Sequence, residues 1–193
     1  YIIMKELTLL IPAKNEKECL PQVLEELKIY KLQIIIILEK TDLKTIESTK
    51  EFNCKIIYQD NKGFGDALIQ GIKNVQTEFF CIFNADGSFN PKELNTMYQL
   101  INKNSTDFIF GSRYMENAGS EDDTIVTYLG NKVFTLIGNL FFSLNISDIL
   151  YTFVMGITKK AQTLNLMEKD FCFCVELPIK AKKSNLSMLT SPS

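Results

Sequence analysis

Short apolar runs at residues 7–11, 34–38, 55–58, 79–83 and 107–110 alternate with stretches patterned as amphipathic helices, and this alternation constrains the fold most. A run such as Ile34, Ile35, Ile36, Ile37 and Leu38 has no polar side. Both faces of such a strand require cover, the condition met in a mostly parallel sheet with helices on either side. Leu20, Val23, Leu24 and Leu27 recur at helical spacing behind Asn15 and Glu18, which resemble a capping box. Asp42 stands where it would cap a helix reaching about residue 51, and Pro91 where a helix would begin and run to about residue 101. Residues 63–67 open another helix, carried by Leu68, Ile72 and Val75. Residues 116–123 have the polar, acidic, glycine-containing composition of a mobile loop, and the chain beyond them reads as mainly helical. No linker or repeat divides the chain, which predicts one α/β domain over residues 1–193.

Composition narrows the chemistry. The sequence has no histidine, and its five cysteines (Cys19, Cys54, Cys81, Cys172, Cys174) lack Cys-x-x-Cys spacing. Zinc sites of the usual kind and Ser-His or Cys-His dyads are therefore not expected, which leaves carboxylates, lysine, arginine, a hard metal or backbone amides. A net charge of -2 gives no basic surface for nucleic acid. The unpatterned cysteines suit a reducing compartment, so a cytoplasmic setting is expected. Residues 1–6 lack signal-peptide features, and residues 133–150 are interrupted by Asn139, Asn145 and Asp148, so no spanning helix is expected.

Ligands of open α/β sheets collect at the carboxyl ends of strands, and the polar motifs fall there. Each alone is an ordinary turn composition; their coincidence is the signal. In Asn84-Ala85-Asp86-Gly87-Ser88 a carboxylate follows an apolar strand, as suits holding Mg²⁺ or Mn²⁺ beside a diphosphate, with Asp86 as the ligand. Asn84 would add an amide oxygen or meet a ribose. Lys62-Gly63-Phe64-Gly65-Asp66 precedes a helix, where glycines let amides approach an anion. Arg113, the single arginine, offers a fork for phosphate that lysine lacks.

Together with Ile11 to Glu16, Gly71, Pro91 and Gly111-Ser112-Arg113-Tyr114, these segments resemble the family 2 glycosyltransferases in order and spacing. The similar branch holds dolichyl-phosphate mannosyltransferases and bacterial polyprenyl-phosphate glycosyltransferases. The resemblance implies a GT-A-like (Rossmann-like) three-layer α/β sandwich and a metal-dependent, inverting glycosyltransferase. It implies donor contacts at Pro12, Lys14, Asn15, Glu16, Glu39, Lys62, Gly63, Gly65, Asp66, Asn84 and Ala85. Asp86 and Ser88 would hold the metal, Arg113 the acceptor phosphate, and Asp86 and Glu176 would be catalytic. Four departures stand against it: Leu38-Glu39 in place of paired aspartates, Asn84 in place of the first metal-site aspartate, and Thr127-Tyr128 where a second arginine is expected. The fourth is an end at Ser193, before an expected further strand and interfacial segment.

Within residues 132–150 the polar positions Asn131, Thr135, Asn139 and Ser143 recur every four residues and leave a broad apolar arc. Such a helix is either buried on several sides or lies in a membrane interface, here the cytoplasmic face. The reaction expected is transfer of a sugar from a nucleotide-sugar to a polyprenyl phosphate or a saccharide. Only the saccharide would require a carboxylate base, for which Glu176 is the candidate. Two rival readings are a sugar nucleotidyltransferase, which would place a basic glycine loop after the first strand, and a catalytically silent nucleotide-binding module.

Overall fold

The computed structural model describes residues 2–115 and 125–193. Seven strands form one sheet: β1 (Ile2–Pro12), β2 (Tyr30–Leu38), β3 (Lys55–Tyr58), β4 (Phe79–Ile82), β5 (Phe108–Ser112), β6 (Val154–Ile157) and β7 (Met188–Pro192). Their order is β3-β2-β1-β4-β6-β5-β7, and β6 alone runs antiparallel to its neighbours. The helices among the described residues are α1 (Cys19–Leu27), α2 (Leu43–Ser48), α3 (Phe64–Asn74), α4 (Glu93–Asn104), α5 (Ile125–Phe142), α6 (Thr158–Gln162) and α7 (Phe173–Lys183).

The continuous apolar runs are explained by burial on both sides. Leu9, Ile11, Ile36, Leu38, Cys81 and Phe83 enter one core with Leu20, Val23, Leu24 and Leu27 of α1 and Leu94 and Met97 of α4. The alternate residues Leu10, Ile35, Ile37, Phe80 and Ile82 enter a second core with Ala67, Leu68 and Ile72 of α3 and Phe173 and Leu177 of α7. Successive side chains of a strand point to opposite faces, so one run fills two cores. The result is the helix–sheet–helix sandwich expected.

One local expectation is corrected. Asn15 and Glu18 form no capping box: Asn15 is left-handed (φ 60°), and Glu18 gives α1 no side-chain cap. Instead the Asn15 N–H donates to Asp42 Oδ2 (2.7 Å), and Asp42 Oδ1 caps α2 at Thr45 N (3.3 Å). The region beyond residue 124 is mainly helical, as expected, with α5, α6 and α7, and the strands β6 and β7 also lie within it. Of the two settings left open for α5, burial on several sides is the one the described residues do not show. Its Asn131, Thr135 and Asn139 face inward, while Leu129, Val133, Phe134, Leu136, Ile137, Leu140 and Phe141 are exposed. The loop predicted at 116–123 lies outside the described residues.

The polar stripe of α5 satisfies the chain that follows it. Thr135 Oγ1 accepts from Ile149 N (3.2 Å), and Asn139 donates to Ile146 O (2.8 Å) and accepts from Ile146 N (3.2 Å). Buried backbone groups need partners, and these side chains supply them. Among the described residues no helix is long and apolar enough to cross a membrane.

Candidate functional site

A cavity of about 580 Å³ opens at the carboxyl edge of the sheet, within the size range of small-molecule sites. Its walls come from the ends of four parallel strands: Pro12, Ala13, Lys14 and Glu16 after β1, Glu39 after β2, Gln59 and Gly63 after β3, and Asn84, Ala85 and Asp86 after β4. Thr152 reaches the same edge because β6 runs the opposite way and begins there. Phe64 and Ala67 of α3, with Asp170 and Phe171, complete the wall.

Asp86 is exposed at the cavity and held in a tight turn, its Oδ1 accepting from Ser88 N (2.9 Å). Asn84 Nδ2 donates to Ser88 Oγ (2.9 Å), which ties both ends of the turn. Across the cavity, burial first and then the charges of Asp86 and Asp42 push the Glu16 carboxyl above its ordinary range. Two carboxylates thus share a negative field, and the available donors are oxygens, the set preferred by Mg²⁺ and Mn²⁺. These oxygens fit a hard divalent cation, and Asp86 is the exposed carboxylate of the two.

The other end of the cavity is charged differently. Lys14 Nζ lies 3.4 Å from Glu39 Oε1, and both line the cavity. Neighbouring strands are about 4.8 Å apart, so the ends of β2 and β4, separated by β1, stand roughly 10 Å apart. The loop bearing Lys14 and Glu16 is pinned to α2 through Asn15 N to Asp42 and Glu16 N to Thr45 Oγ1 (3.0 Å). Burial would raise the Asp42 carboxyl, but hydrogen bonds from Asn15 and Thr45 outweigh it and hold it low.

The glycine turn has a different occupant from an anion. Gly63 adopts φ 124°, and a Cβ there would lie 2.0 Å from Lys169 O; one on Gly65 would lie 2.2 Å from Glu168 O. The Asp66 N–H is donated to Lys169 O (3.1 Å). Asp66 itself is buried, and its carboxylate accepts from Asn61 N (3.1 Å) and Asn61 Nδ2 (3.0 Å). Asn15, Lys62, Gly65, Asp66 and Ser88 therefore sit around the cavity rather than in its wall.

Arg113 follows β5 at the same sheet edge, outside the cavity wall. Its guanidinium pairs with Asp148 through Nε to Oδ2 (2.9 Å) and Nη2 to Oδ1 (3.2 Å). The Asp148 side chain is fully buried and is also bonded by Asn131 Nδ2. Arg113 packs over the rings of Tyr151 (4.9 Å) and Tyr114 (5.2 Å). Glu176 also stands away from the wall. Its carboxylate accepts from Met167 N (2.9 and 3.0 Å) and Glu168 N (2.9 Å) and pairs with Lys180 (2.7 Å).

Gln59, Phe64, Ala67, Thr152, Asp170 and Phe171 were not legible as site residues. Phe64 lay between two noted glycines, which was the one available signal. Asp170 and Phe171 arrive from the far end of the chain, through contacts that no local pattern encodes.

Comparison with known proteins bears on the family and the fold. The low-salt glycan biosynthesis hexosyltransferase of Haloferax volcanii is 23% identical, over 98% of this chain and 48% of its own length. Dolichol-phosphate mannosyltransferase of Pyrococcus furiosus is 23% identical, over 94% of this chain and 54% of its own. The chain spans about half the length of these relatives. Glucosyl-3-phosphoglycerate synthase from Mycobacterium tuberculosis, solved with Mn²⁺, UDP and glucosyl-3-phosphoglycerate, has the same fold, with a TM-score of 0.76 over 96% of this chain and 69% of that one at 12% identity. Residues 8–164, from β1 through α6, match the profile of glycosyl transferase family 2, and the chain belongs to that family.

Proposed function

We propose that this chain is the catalytic domain of a metal-dependent, inverting glycosyltransferase that moves a sugar from a nucleotide-sugar to a polyprenyl phosphate at a membrane surface. The observation that carries the reading is the cavity itself, running from Asp86 at the end of β4 to Glu39 and Lys14 at the end of β2 and β1. Its span suits a nucleoside diphosphate laid along the sheet edge. In this reading Pro12, Lys14, Glu16, Glu39, Gly63, Asn84 and Ala85 contact the donor, while Asn15, Lys62, Gly65 and Asp66 shape the loops that hold it. Asp86, with Ser88 beside it, would hold Mg²⁺ or Mn²⁺, which when bound offsets the charge of the departing diphosphate. Relatives and fold neighbours named for dolichol phosphate, Mn²⁺ and UDP support the same assignment.

The placement of Glu176 supports a phosphate acceptor. A saccharide hydroxyl must lose a proton, whereas a phosphate is already ionised and attacks without a general base. Glu176, the base expected for the first case, is committed to residues 167–168 and Lys180. Arg113, roughly 10 Å from the end of β4 by strand order, would meet the acceptor phosphate. A direct displacement by that oxygen inverts the anomeric carbon. The exposed apolar face of α5, with Lys132 and Lys183 beside its aromatic residues, supports peripheral contact with an anionic bilayer.

Partitioning of label from a sugar-labelled nucleotide donor tests the reading. Incubation with polyprenyl phosphate, Mn²⁺ and vesicles should move label into an acid-labile, butanol-extractable product. Label appearing only in a water-soluble saccharide would replace the proposed acceptor. Nucleotide binding with no transfer to any acceptor would leave a silent binding module.

A further inference from the structure

Segment 167–172 is built into the donor cavity with more care than a connecting loop requires. Its backbone at Glu168 and Lys169 lies directly on the glycine turn, where any side chain at Gly63 or Gly65 would collide with it. From the other side the Glu176 carboxylate, kept below its ordinary range by Lys180 and the amides of Glu168 and Met167 against the opposing effect of burial, grips Met167 N and Glu168 N. Asp170 Oδ1 accepts from Cys172 N (2.8 Å), closing the turn. The segment is thus a strap fastened at both edges.

What the strap presents is Phe171. This ring is 71% exposed, yet it stacks on Phe64 with centroids 4.9 Å apart and planes 12° from parallel. Leaving so much apolar surface in water is unfavourable unless a ligand covers it. Phe64 opens α3, which packs on β2 and β1, so the stacked pair flanks the cavity on the side of the strands whose ends carry Glu39 and Lys14. With a diphosphate at Asp86, the group reaching that side is the nucleobase.

We infer that Phe171 is the platform on which the donor's base stacks, and that Glu176 is a positioning residue acting through the strap. The inference rests on the nucleotide-sugar reading above. Base–aromatic stacking tolerates any base, so UDP and GDP should respond alike.

Calorimetric titration with UDP, GDP and inorganic pyrophosphate, each with Mn²⁺, separates the possibilities. Phe171→Ala should weaken both nucleotides by about tenfold, the scale of one lost base–aromatic stack, and leave pyrophosphate unchanged. Phe171→Tyr should retain affinity. Glu176→Gln should weaken the nucleotides in the same selective way. The chain has no tryptophan, so Phe171→Trp installs a single reporter whose emission should be quenched by nucleotide and not by pyrophosphate. Unchanged nucleotide affinity in Phe171→Ala, with wild-type binding intact, would overturn this inference alone. Equal loss of pyrophosphate would reduce the strap to a structural role and overturn it as well. Wild-type protein that binds no nucleotide would overturn the donor-site reading beneath it.

Discussion

Removing the Arg113 side chain should destabilise the protein far more than loss of one surface cation. Asp148 has a fully buried side chain, and two of its partners are the Nε and Nη2 groups of Arg113, with Asn131 as a third. Arg113→Ala leaves that carboxylate in the interior without its counter-charge, a change that costs about 3–5 kcal/mol. For a domain of this size each kcal/mol moves Tm by roughly 2–4 °C, so the drop should be on the order of 6–20 °C. Asp148→Asn should cost less, because Arg113 is about one-fifth exposed and keeps contact with water and Tyr151. The double variant Arg113→Ala/Asp148→Asn should then recover at least about 1 kcal/mol relative to Arg113→Ala, since no buried charge remains. Urea unfolding of the four proteins, followed by circular dichroism, measures the cycle. A loss below about 1 kcal/mol in Arg113→Ala, or strict additivity in the double variant, would refute the buried-pair reasoning. The consequence for function is direct: transfer assays on Arg113 variants must be corrected for folded fraction. Arg113→Lys, which keeps charge and loses the fork, is the sharper probe of acceptor contact.

Other outcomes follow from the same structure. Gly63→Ala should be destabilising, because φ 124° is strained for alanine and its Cβ would meet Lys169 O at 2.0 Å; a Tm equal to wild type would contradict the seated strap. Glu176 has a folded pKa below its unfolded value, so its stabilising contribution is present above the unfolded pKa and fades as pH falls through the folded one. The stability gap between wild type and Glu176→Gln should therefore shrink on acidification; a gap that is constant across that window would refute the linkage. Leu140→Asp/Phe141→Asp, at two strongly exposed apolar positions of α5, should abolish flotation with anionic vesicles while leaving Tm near wild type. Equal flotation would remove the proposed membrane contact.

The amino-terminal half of the fold was legible because its strands and helices announce themselves locally. Uninterrupted isoleucines, helical leucine spacing and Asp42 at a helix start each follow from short-range rules. The capping box at Asn15 failed because Asp42, distant in sequence, offers its N–H a better acceptor. β6 was hidden because four residues containing Gly156 carry little strand signal; the glycine is needed where a Cβ would press 2.5 Å from the Phe108 ring. β7 is an edge strand secured by Ser187, whose N–H and hydroxyl both donate to Asp107 (2.7 and 3.0 Å), a tertiary contact without a local pattern. In α5 the periodicity was legible, but which way the polar stripe faces was not. The polar stripe faces the protein because the turn from Ile146 to Ile149 brings backbone groups that need it.

Site residues divide in the same way. Pro12, Lys14, Glu16, Glu39, Asn84 and Asp86 were visible because strand ends can be located from sequence, and all of them line one cavity. Gly63 and Gly65 were visible as a special turn, but what fills the space beside them, the backbone at Lys169, was not.

The account depends on Asp86 providing the cation site at the diphosphate end of the cavity. Calorimetry of UDP and GDP with wild type and Asp86→Asn, in Mn²⁺ and in chelator, tests this most directly. Affinity in the wild type should rise on adding Mn²⁺, and in Asp86→Asn that gain should vanish while the fold persists. Nucleotide binding that is equally tight in chelator, or an Mn²⁺ response untouched by the substitution, would contradict it.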